Sequence, residues 1–468
     1  MQQTQAPRPD TRWPHEQPGY ASLAAAVQGE ASRWNVPGIA VGILHDGETT
    51  IHAFGATSIE TGHPVTPETI FQIGSISKVF TATLVMRLVE QGTLDLDTPV
   101  ITYVPELPLA DEHARATVTL RHLLAHSAGF EGDRFIDYGR GDDALAKAIA
   151  AFDTLPQWFA PGTLWSYCNA GFYLAGLVIE RATSRVFEDV LMDELIKPLG
   201  LTRTEILPEY AMTHPHALGH KLDRRTGPEV VRPFTLARHV NAAGGIIANA
   251  ADLLRFARMH IGDGEIDGTR IISADAARAM REAAIDAGDF HRSYGIGWSV
   301  WNYDAFKIVD HGGAIRGFKA NLTVIPEKGF ALAQLANSDP GSRAMQEIEA
   351  WALNHYLGFS RPKPARHPLP EATLDAFTGT YERHDARNVV TRDVDGLHLE
   401  ITDIDEETGK EEEERRCYDL EPVGPSRFRV TSVESHGAIV DFLTHPAPDG
   451  APRDLMRAGG RLAARNAG

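Results

Sequence analysis

An early β-hairpin constrains the fold of this chain more than any other feature of its sequence. Residues 38–44 are a continuous apolar run, Asp46 and Gly47 are a typical tight-turn pair, and residues 49–54 have the composition of a returning strand. A sheet that begins with a hairpin is antiparallel at its first connection. The pattern therefore argues against a parallel, dinucleotide-binding sheet, in which helices join the strands.

Helical periodicity surrounds this hairpin and then dominates the chain. Helices are predicted at residues 20–34, 75–91, 120–126, 144–152, 170–182 and 251–261. Strand patterns return at residues 294–301, 306–310, 321–325 and 330–335, and a last helix is predicted at 343–356. This order indicates an α+β fold class, with an antiparallel sheet flanked by helices and an all-helical insertion between its strands.

The composition changes after residue 359. Four prolines between residues 360 and 370 predict a stiff linker. Beyond the linker, short strand patterns occur at 379–381, 389–394, 397–401, 427–430 and 439–443, and the acidic run 405–416 is predicted to be a solvated hairpin tip. The sequence thus predicts a flexible tail at 1–18, a main domain at 19–359, a linker at 360–370, and a small all-β barrel at 371–468.

Charge and composition exclude several classes of partner. The chain has 45 Lys and Arg against 63 Asp and Glu, a formal net charge of −18, so nucleic acid and anionic membrane surfaces repel it and neither is an expected partner. No signal peptide and no transmembrane segment is apparent, which predicts a cytoplasmic protein, although a removed leader would leave no trace. The two cysteines, Cys168 and Cys417, are too few for a disulfide scaffold or a cysteine-based zinc site.

One short motif suggests a nucleophile. The segment Ser75-Ile-Ser-Lys78 lies where a predicted amphipathic helix begins. Residues three apart share a helix face, so the Lys78 amine can reach the Ser75 hydroxyl. A serine hydroxyl is a weak nucleophile until a base takes its proton, and a lysine with a lowered pKa is such a base. A capping serine beside a surface lysine explains the motif equally well.

Two further motifs carry groups suited to acyl transfer. Tyr167 and Asn169 precede a predicted helix, where a phenol can move a proton and an amide can bind a carbonyl oxygen. The segment His311-Gly312-Gly313 places paired glycines on a strand, where a ligand backbone can approach closely. Taken alone, the tyrosine is more typical of packing at a helix entry, and the glycine pair is typical of a β-bulge.

In this order the three motifs resemble the serine β-lactamase and penicillin-binding protein superfamily. In detail the chain is similar to the branch that contains class C β-lactamases, esterases and D-aminopeptidases. The resemblance covers about residues 20–358 and includes the phrases at 71–78, 120–129, 243–256 and 311–326. The C-terminal strands, with the segment 377–382, resemble the lipocalin-like barrel that follows the catalytic domain in some members of this branch.

The resemblance implies a role for each matching residue. Ser75 would be the acylated nucleophile, Lys78 would deprotonate or poise it, and Tyr167 would be the second proton carrier. Asn169 would hold a substrate carbonyl or Lys78. The backbone N–H groups of Ser75 and Ala314 would form the oxyanion hole. No cofactor is implied.

Position 311 departs from the β-lactamase pattern, in which lysine is usual. His311 has an ordinary pKa near about 6.5, so it would bind a substrate carboxylate weakly at pH 7 and more strongly as the pH falls. The same strand segment includes Gly313 as a substrate-binding residue, and Arg316 could supply the missing charge. Histidine at this position fits the esterases and D-amino-acid peptidases of the branch.

His122 and His126 have the i, i+4 spacing of zinc ligands on a helix. Residue 123 is leucine, where the H-E-x-x-H motif requires a general-base glutamate. The resemblance also explains the segment without a metal. No metal site is therefore predicted.

The sequence predicts a serine hydrolase that cleaves an amide or ester through an acyl-enzyme on Ser75. A peptidase acting on D-amino-acid or small peptides and a carboxylesterase are equally favoured, and a β-lactamase is less favoured. An acyltransferase that uses the same acyl-enzyme and a non-catalytic binding protein are the alternatives. The expected partner is a small-molecule or peptide substrate, and the chain could also form a homo-oligomer.

Overall fold

The computed structural model describes residues 19–223, 227–288, 292–432 and 437–466. The described residues form two compact units, one of Gly19–Arg361 and one that begins at Pro362. Each unit has its own hydrophobic core. The predicted tail at residues 1–18 lies outside the described residues.

The first unit contains both strands and helices. Its strands are β1 (Gly38–His45), β2 (Glu48–Gly55), β3 (Phe71–Gln72), β4 (His220–Asp223), β5 (Gly227–Val230), β6 (Ile247–Ala248), β7 (Glu265–Ile266), β8 (Thr269–Arg270), β9 (Ile285–Asp286), β10 (Arg292–Tyr294), β11 (Ser299–Tyr303), β12 (Phe306–Ile315), β13 (Phe318–Ile325) and β14 (Phe330–Ala336). Its helices are α1 (Leu23–Arg33), α2 (Ser77–Glu90), α3 (Glu112–Thr117), α4 (Leu120–Leu124), α5 (Ala144–Ala150), α6 (Asn169–Thr183), α7 (Phe187–Leu191), α8 (Lys197–Leu199), α9 (Pro208–Ala211), α10 (Asn241–Gly244), α11 (Ala250–Ile261), α12 (Ala274–Met280) and α13 (Gly341–Leu357).

Among the described residues of this unit, eight strands form one antiparallel sheet, in the order β2-β1-β14-β13-β12-β11-β10-β9. The early hairpin therefore pairs with the last strand of the unit, with Ile39 opposite Ala336. Every residue of β14 is buried, because helices cover both faces of the sheet at its centre. The predicted α+β fold class is confirmed.

The insertion between β2 and β9 is not purely helical. In its described part it also holds three two-stranded sheets, β3-β6, β4-β5 and β7-β8. The strands β3 and β6 have two residues each, so they are too short for any alternation of apolar and polar residues to predict them. Their pairing connects the start of the insertion to the segment before α11.

The strand predicted at residues 294–301 is broken in the middle. Gly297 has a φ of +78°, in the left-handed region that extended chain cannot use. The chain therefore turns back, and the two halves pair as β10 and β11, with Arg292 opposite Trp301. A side chain at position 297 would also collide with Ala82 of α2, which explains why a glycine occupies this turn.

The second unit is a closed antiparallel barrel, and the predicted all-β C-terminal domain is confirmed. Each of its eight described strands pairs with the next, and the last pairs with the first, the up-and-down order of lipocalins. After α14 (Glu371–Leu374) these strands are β15 (Gly379–Arg383), β16 (Ala386–Asp393), β17 (Gly396–Ile404), β18 (Glu411–Pro422), β19 (Arg427–Val430), β20 (Ile439–Pro446), β21 (Pro452–Ala458) and β22 (Arg461–Arg465).

The acidic run 405–416 is a turn only in its first half. From Glu411 onward it belongs to β18, whose first five residues are all exposed and charged. Burial alternates only from Arg416, where the strand enters the barrel wall. The hydrophobic pattern that marks a strand is therefore missing from this segment.

No helix of the described ranges combines the length and the apolar character needed to cross a bilayer.

Phe428 gives a test of the barrel core. Its side chain is fully buried, with the rings of Phe377 and Phe442 at 5.1 and 5.6 Å. Phe428→Ala should lower the free energy of unfolding by about 3–5 kcal/mol, because it leaves a cavity between aromatic rings. Val394→Ala is the matched control, since Val394 is fully exposed at the turn between β16 and β17. Urea unfolding followed by far-UV circular dichroism measures both, and equal stability of the two variants would contradict this packing.

Candidate active site

Ser75 and Lys78 are in direct contact at the start of α2. Residues Gly74–Ile76 form a 3₁₀ turn that continues into the helix. Lys78 Nζ donates a hydrogen bond to Ser75 Oγ at 3.0 Å and another to the Ala243 carbonyl oxygen at 2.8 Å. Lys78 is fully buried and Ser75 is partly exposed. A substrate can therefore reach the hydroxyl while the amine beside it is shielded from water.

Tyr167 and His311 complete this cluster. Lys78 Nζ lies 4.9 Å from the centre of the Tyr167 ring and 5.5 Å from that of Phe172. The Tyr167 and His311 ring centres are 6.2 Å apart. Three motifs that are far apart in the sequence thus meet around one amine.

The segment that carries Ser75 lies directly against β12. A Cβ atom at Gly313 would lie 1.9 Å from the Ile73 carbonyl oxygen, and one at Gly74, where φ is +55°, would lie 2.9 Å from the Ala314 nitrogen. The missing side chain of Gly313 therefore admits the protein's own backbone, whereas Gly312 is the exposed glycine. This close approach brings the Ala314 N–H group next to the Ser75 turn.

Asn169 has a partner that sequence reasoning missed. It is the first residue of α6, it is buried, and its Nδ2 atom donates to Asp133 Oδ1 at 2.5 Å. Asp133 is also buried and lies 36 residues earlier, in a loop with no regular periodicity. Nothing in the spacing of the two residues could have indicated this contact.

The expectation that His311 becomes charged near pH 6.5 is wrong. Burial, reinforced by the nearby Lys78, lowers the pKa of His311 to about 3. Its Nδ1–H group donates to the Gly312 carbonyl oxygen at 2.7 Å. The imidazole is therefore neutral throughout the physiological range.

Arg316 lies apart from this cluster, in the turn between β12 and β13. It is exposed and lines a cavity of about 570 Å³, which also contacts Ala314 and the β4-β5 hairpin. Four cationic and two acidic residues line the cavity: Lys221, Arg232, Arg316, Lys319, Glu229 and Asp339. Three of the cations have carboxylate partners at 2.6–3.3 Å, whereas Arg316 has none among the residues that the structure describes.

The imidazoles of His122 and His126 serve different backbone segments. His122 Nδ1 accepts a hydrogen bond from the Thr119 N–H group at 3.2 Å, at the start of α4. His126 Nδ1 accepts one from the Cys168 N–H group at 3.0 Å. Cys168 is buried, and its sulfur accepts the Gly171 N–H at the start of α6.

Comparison with known proteins agrees with this geometry. A sequence model of the beta-lactamase family matches residues 8–355. The chain belongs to the beta-lactamase family. Penicillin-binding protein 4 of Amycolatopsis lactamdurans is 36% identical to it over 357 residues, which are 75% of this chain and 94% of that protein.

Two other similar proteins extend the comparison. The D-aminopeptidase of Gluconobacter oxydans is 27% identical over 71% of this chain and 62% of its own length. A crystal structure of SurE with D-Leu superposes with a TM-score of 0.73 at 29% identity, over 95% of this chain and 98% of that one. This beta-lactamase-family chain is accordingly a serine hydrolase of the acyl-enzyme type, as its motifs predict.

The neutral state of His311 can be tested directly. The imidazole resonances of His311, assigned by comparison with His311→Gln, should not shift between pH 5 and 8, because burial keeps its pKa near about 3. Proton NMR of the imidazole carbon-bound hydrogens provides the measurement. The titration is extended above pH 8 until the resonance of His398 shifts, and this histidine, whose pKa is raised by two aspartate partners, is the internal control. Titration of His311 near pH 6.5 would show that its ring contacts water.

Proposed function

We propose that this chain hydrolyses an amide bond beside a D-configured residue, in a short peptide with a free carboxylate, through an acyl-enzyme on Ser75. The hydrogen bond of 3.0 Å between Lys78 Nζ and Ser75 Oγ carries this proposal. A reachable hydroxyl that contacts a buried amine has the arrangement of an activated nucleophile, with the amine as its base. A non-catalytic binding protein has no use for such a pair.

In the first step, Ser75 Oγ attacks the substrate carbonyl carbon. The hydroxyl proton passes to Lys78 Nζ, and this amine is uncharged before the transfer. The Ala243 carbonyl oxygen holds the amine in position for this transfer. The N–H groups of Ser75 and Ala314 bind the oxyanion of the tetrahedral intermediate. Each such donor contributes about 3 kcal/mol to the stabilisation of the transition state.

In the second step, Tyr167 relays the proton held by Lys78 to the leaving amine, since the phenol ring lies near both Lys78 and the neutral His311. During deacylation the phenol passes a proton from the attacking water to the uncharged Lys78 amine, and Lys78 returns a proton to Ser75 Oγ as the acyl bond breaks, so both side chains end the cycle as they began it. Asn169, held by Asp133, offers its second Nδ2 hydrogen to a substrate carbonyl oxygen. No charge needs to enter or leave the buried centre during this cycle.

The charge distribution around the cavity favours a substrate with a carboxylate. The chain as a whole has a net charge of −18, yet cations outnumber acids four to two in the cavity lining. Arg316 is the lining cation with no carboxylate partner among the described residues. The cavity begins beside Ala314, so a substrate bound at the oxyanion hole can extend into it. A neutral ester would make no use of this charge.

The relatives supply the stereochemical part of the proposal. One relative is named a D-aminopeptidase, and a structure that matches 95% of this chain was solved with D-Leu. β-Lactam hydrolysis is less well supported, because the neutral His311 replaces the lysine usual in β-lactamases. A cytoplasmic location and self-association are further predictions from the sequence.

Covalent labelling tests the nucleophile. After treatment with a fluorophosphonate, intact-mass and peptide mass spectrometry should find the adduct on Ser75, and Ser75→Ala should remain unlabelled. Ser77→Ala is the matched control, since Ser77 Oγ accepts the Ile246 N–H group at 3.0 Å and faces away from Lys78. Lys78→Ala should label at least about 100-fold more slowly, because it removes the base. An adduct on the Ser75→Ala variant would place the nucleophile elsewhere.

A matched pair of peptides tests the cavity. Arg316→Ala should lower kcat/KM about tenfold for a D-leucyl dipeptide with a free C-terminal carboxylate, because a charge-assisted hydrogen bond is lost. The C-terminal amide of the same dipeptide should be cleaved at an unchanged rate. Lys307→Ala, in β12 and paired with Glu282, controls for the change in net charge. If Arg316→Ala lowers kcat/KM equally for both peptides, Arg316 does not bind the carboxylate.

A further inference from the structure

His126 takes no part in the proposed chemistry, yet it bonds to the chain on both sides of Tyr167. Its carbonyl oxygen accepts the Ser166 N–H group at 3.0 Å. Its side-chain Nδ1 atom accepts the Cys168 N–H group, also at 3.0 Å. A single residue, located just after α4, therefore holds both peptide groups that flank Tyr167.

The imidazole also contacts the phenol itself. The ring centres of His126 and Tyr167 are 4.2 Å apart, with an angle of 31° between the planes. On its other sides the His126 ring meets Phe172 at 5.3 Å and Tyr294 at 4.8 Å. His126 is fully buried, so these contacts leave its ring, and the ring of Tyr167 above it, little freedom to rotate.

The backbone at this position narrows the choice of residue. His126 has a φ of +56° and follows the last turn of α4, where glycine and asparagine are the residues usually found. Glycine would meet the backbone requirement but would provide no acceptor for the Cys168 N–H group. Histidine tolerates this backbone conformation and also provides the acceptor, in the tautomer whose Nδ1 carries no proton.

We infer that His126 is a positioning residue that sets the place of the Tyr167 phenol relative to Lys78. It acts through the backbone of Ser166 and Cys168 and through ring packing, and it touches no reacting atom. The inference rests on the proposed role of Tyr167 as proton carrier. A displacement of about 1 Å at a catalytic group lowers the reaction rate by up to about 100-fold. Loss of the contacts that His126 makes is therefore expected to lower the rate measurably.

A pair of amide variants isolates the Nδ1 acceptor. In His126→Asn the side-chain oxygen can occupy the place of Nδ1, and asparagine tolerates the left-handed backbone. In His126→Gln the amide lies one carbon farther out, near the place of Nε2, so the Cys168 N–H group loses its acceptor. Both variants are polar and uncharged, and thermal unfolding verifies that each is folded.

Two substrates separate positioning from stability. D-Leucine p-nitroanilide has a leaving group that needs a proton, whereas p-nitrophenyl acetate has one that does not. His126→Gln should lower kcat/KM for the anilide about 100-fold and for the ester less than about fivefold. His126→Asn should keep the anilide rate within about tenfold of the wild type. In a Tyr167→Phe background, His126→Gln should add less than about threefold, because the two residues act as one unit.

The remaining outcomes overturn the inference. If His126→Gln lowers kcat/KM equally for the anilide and the ester, His126 only stabilises the fold. The same conclusion follows if His126→Gln lowers the anilide rate as much in the Tyr167→Phe background as in the wild type. Equal effects of the asparagine and glutamine variants would exclude the Nδ1 acceptor. Tyr167→Phe with a wild-type anilide rate would refute the proposed role of Tyr167 itself. A defective Tyr167→Phe beside a fully active His126→Gln would refute the role of His126 alone.

Discussion

The burial of one lysine is the constraint on which the rest of this structure depends. An amine that is fully removed from water needs polar partners, because an unpaired buried donor costs several kcal/mol. Lys78 meets this need with Ser75 Oγ and the Ala243 carbonyl oxygen, and with the ring faces of Tyr167 and Phe172. Ser75 lies in the same helix turn, whereas Ala243 and the two aromatic residues come from segments that are distant in the sequence. The burial of Lys78 therefore depends on the packing of the insertion around the start of α2.

The strand behind the site is held from its opposite face. Asp310 immediately precedes His311, so its side chain points away from Lys78, and its Oδ2 atom accepts a hydrogen bond from Arg361 at 3.1 Å. Arg361 also donates to Glu349 of α13 at 3.0 Å and stacks on Trp301. The front of the strand meets the Ser75 turn at Gly313. Backbone contact on one face and an ion-pair network on the other together hold the position of the Ala314 N–H group.

Sequence patterns predicted the parts of this molecule that repeat or that match a motif. The hairpin of β1 and β2, the α2 motif and the Tyr167 and His311 segments were all identified from spacing, because each depends on residues close together in the chain. Contacts between segments that are distant in the sequence were not identified. The Asp133 partner of Asn169 lies in an irregular loop, and the acceptor for the Cys168 N–H lies 42 residues earlier, on His126. The His311 pKa was mispredicted for the same reason, since burial is a property of the whole fold.

Proton transfer and charge recognition need opposite environments, and the segment from His311 in β12 to Arg316 in the turn after it provides both. Burial keeps His311 neutral, so no ion stands at this position of β12, near Tyr167 and Lys78. The same burial would make a fixed charge at position 311 costly, because the ion would be removed from water. At the end of the strand, Arg316 stands in water, where a guanidinium keeps its charge at little cost. We expect a site arranged in this way to bind an anionic group without placing its charge at the reacting carbonyl.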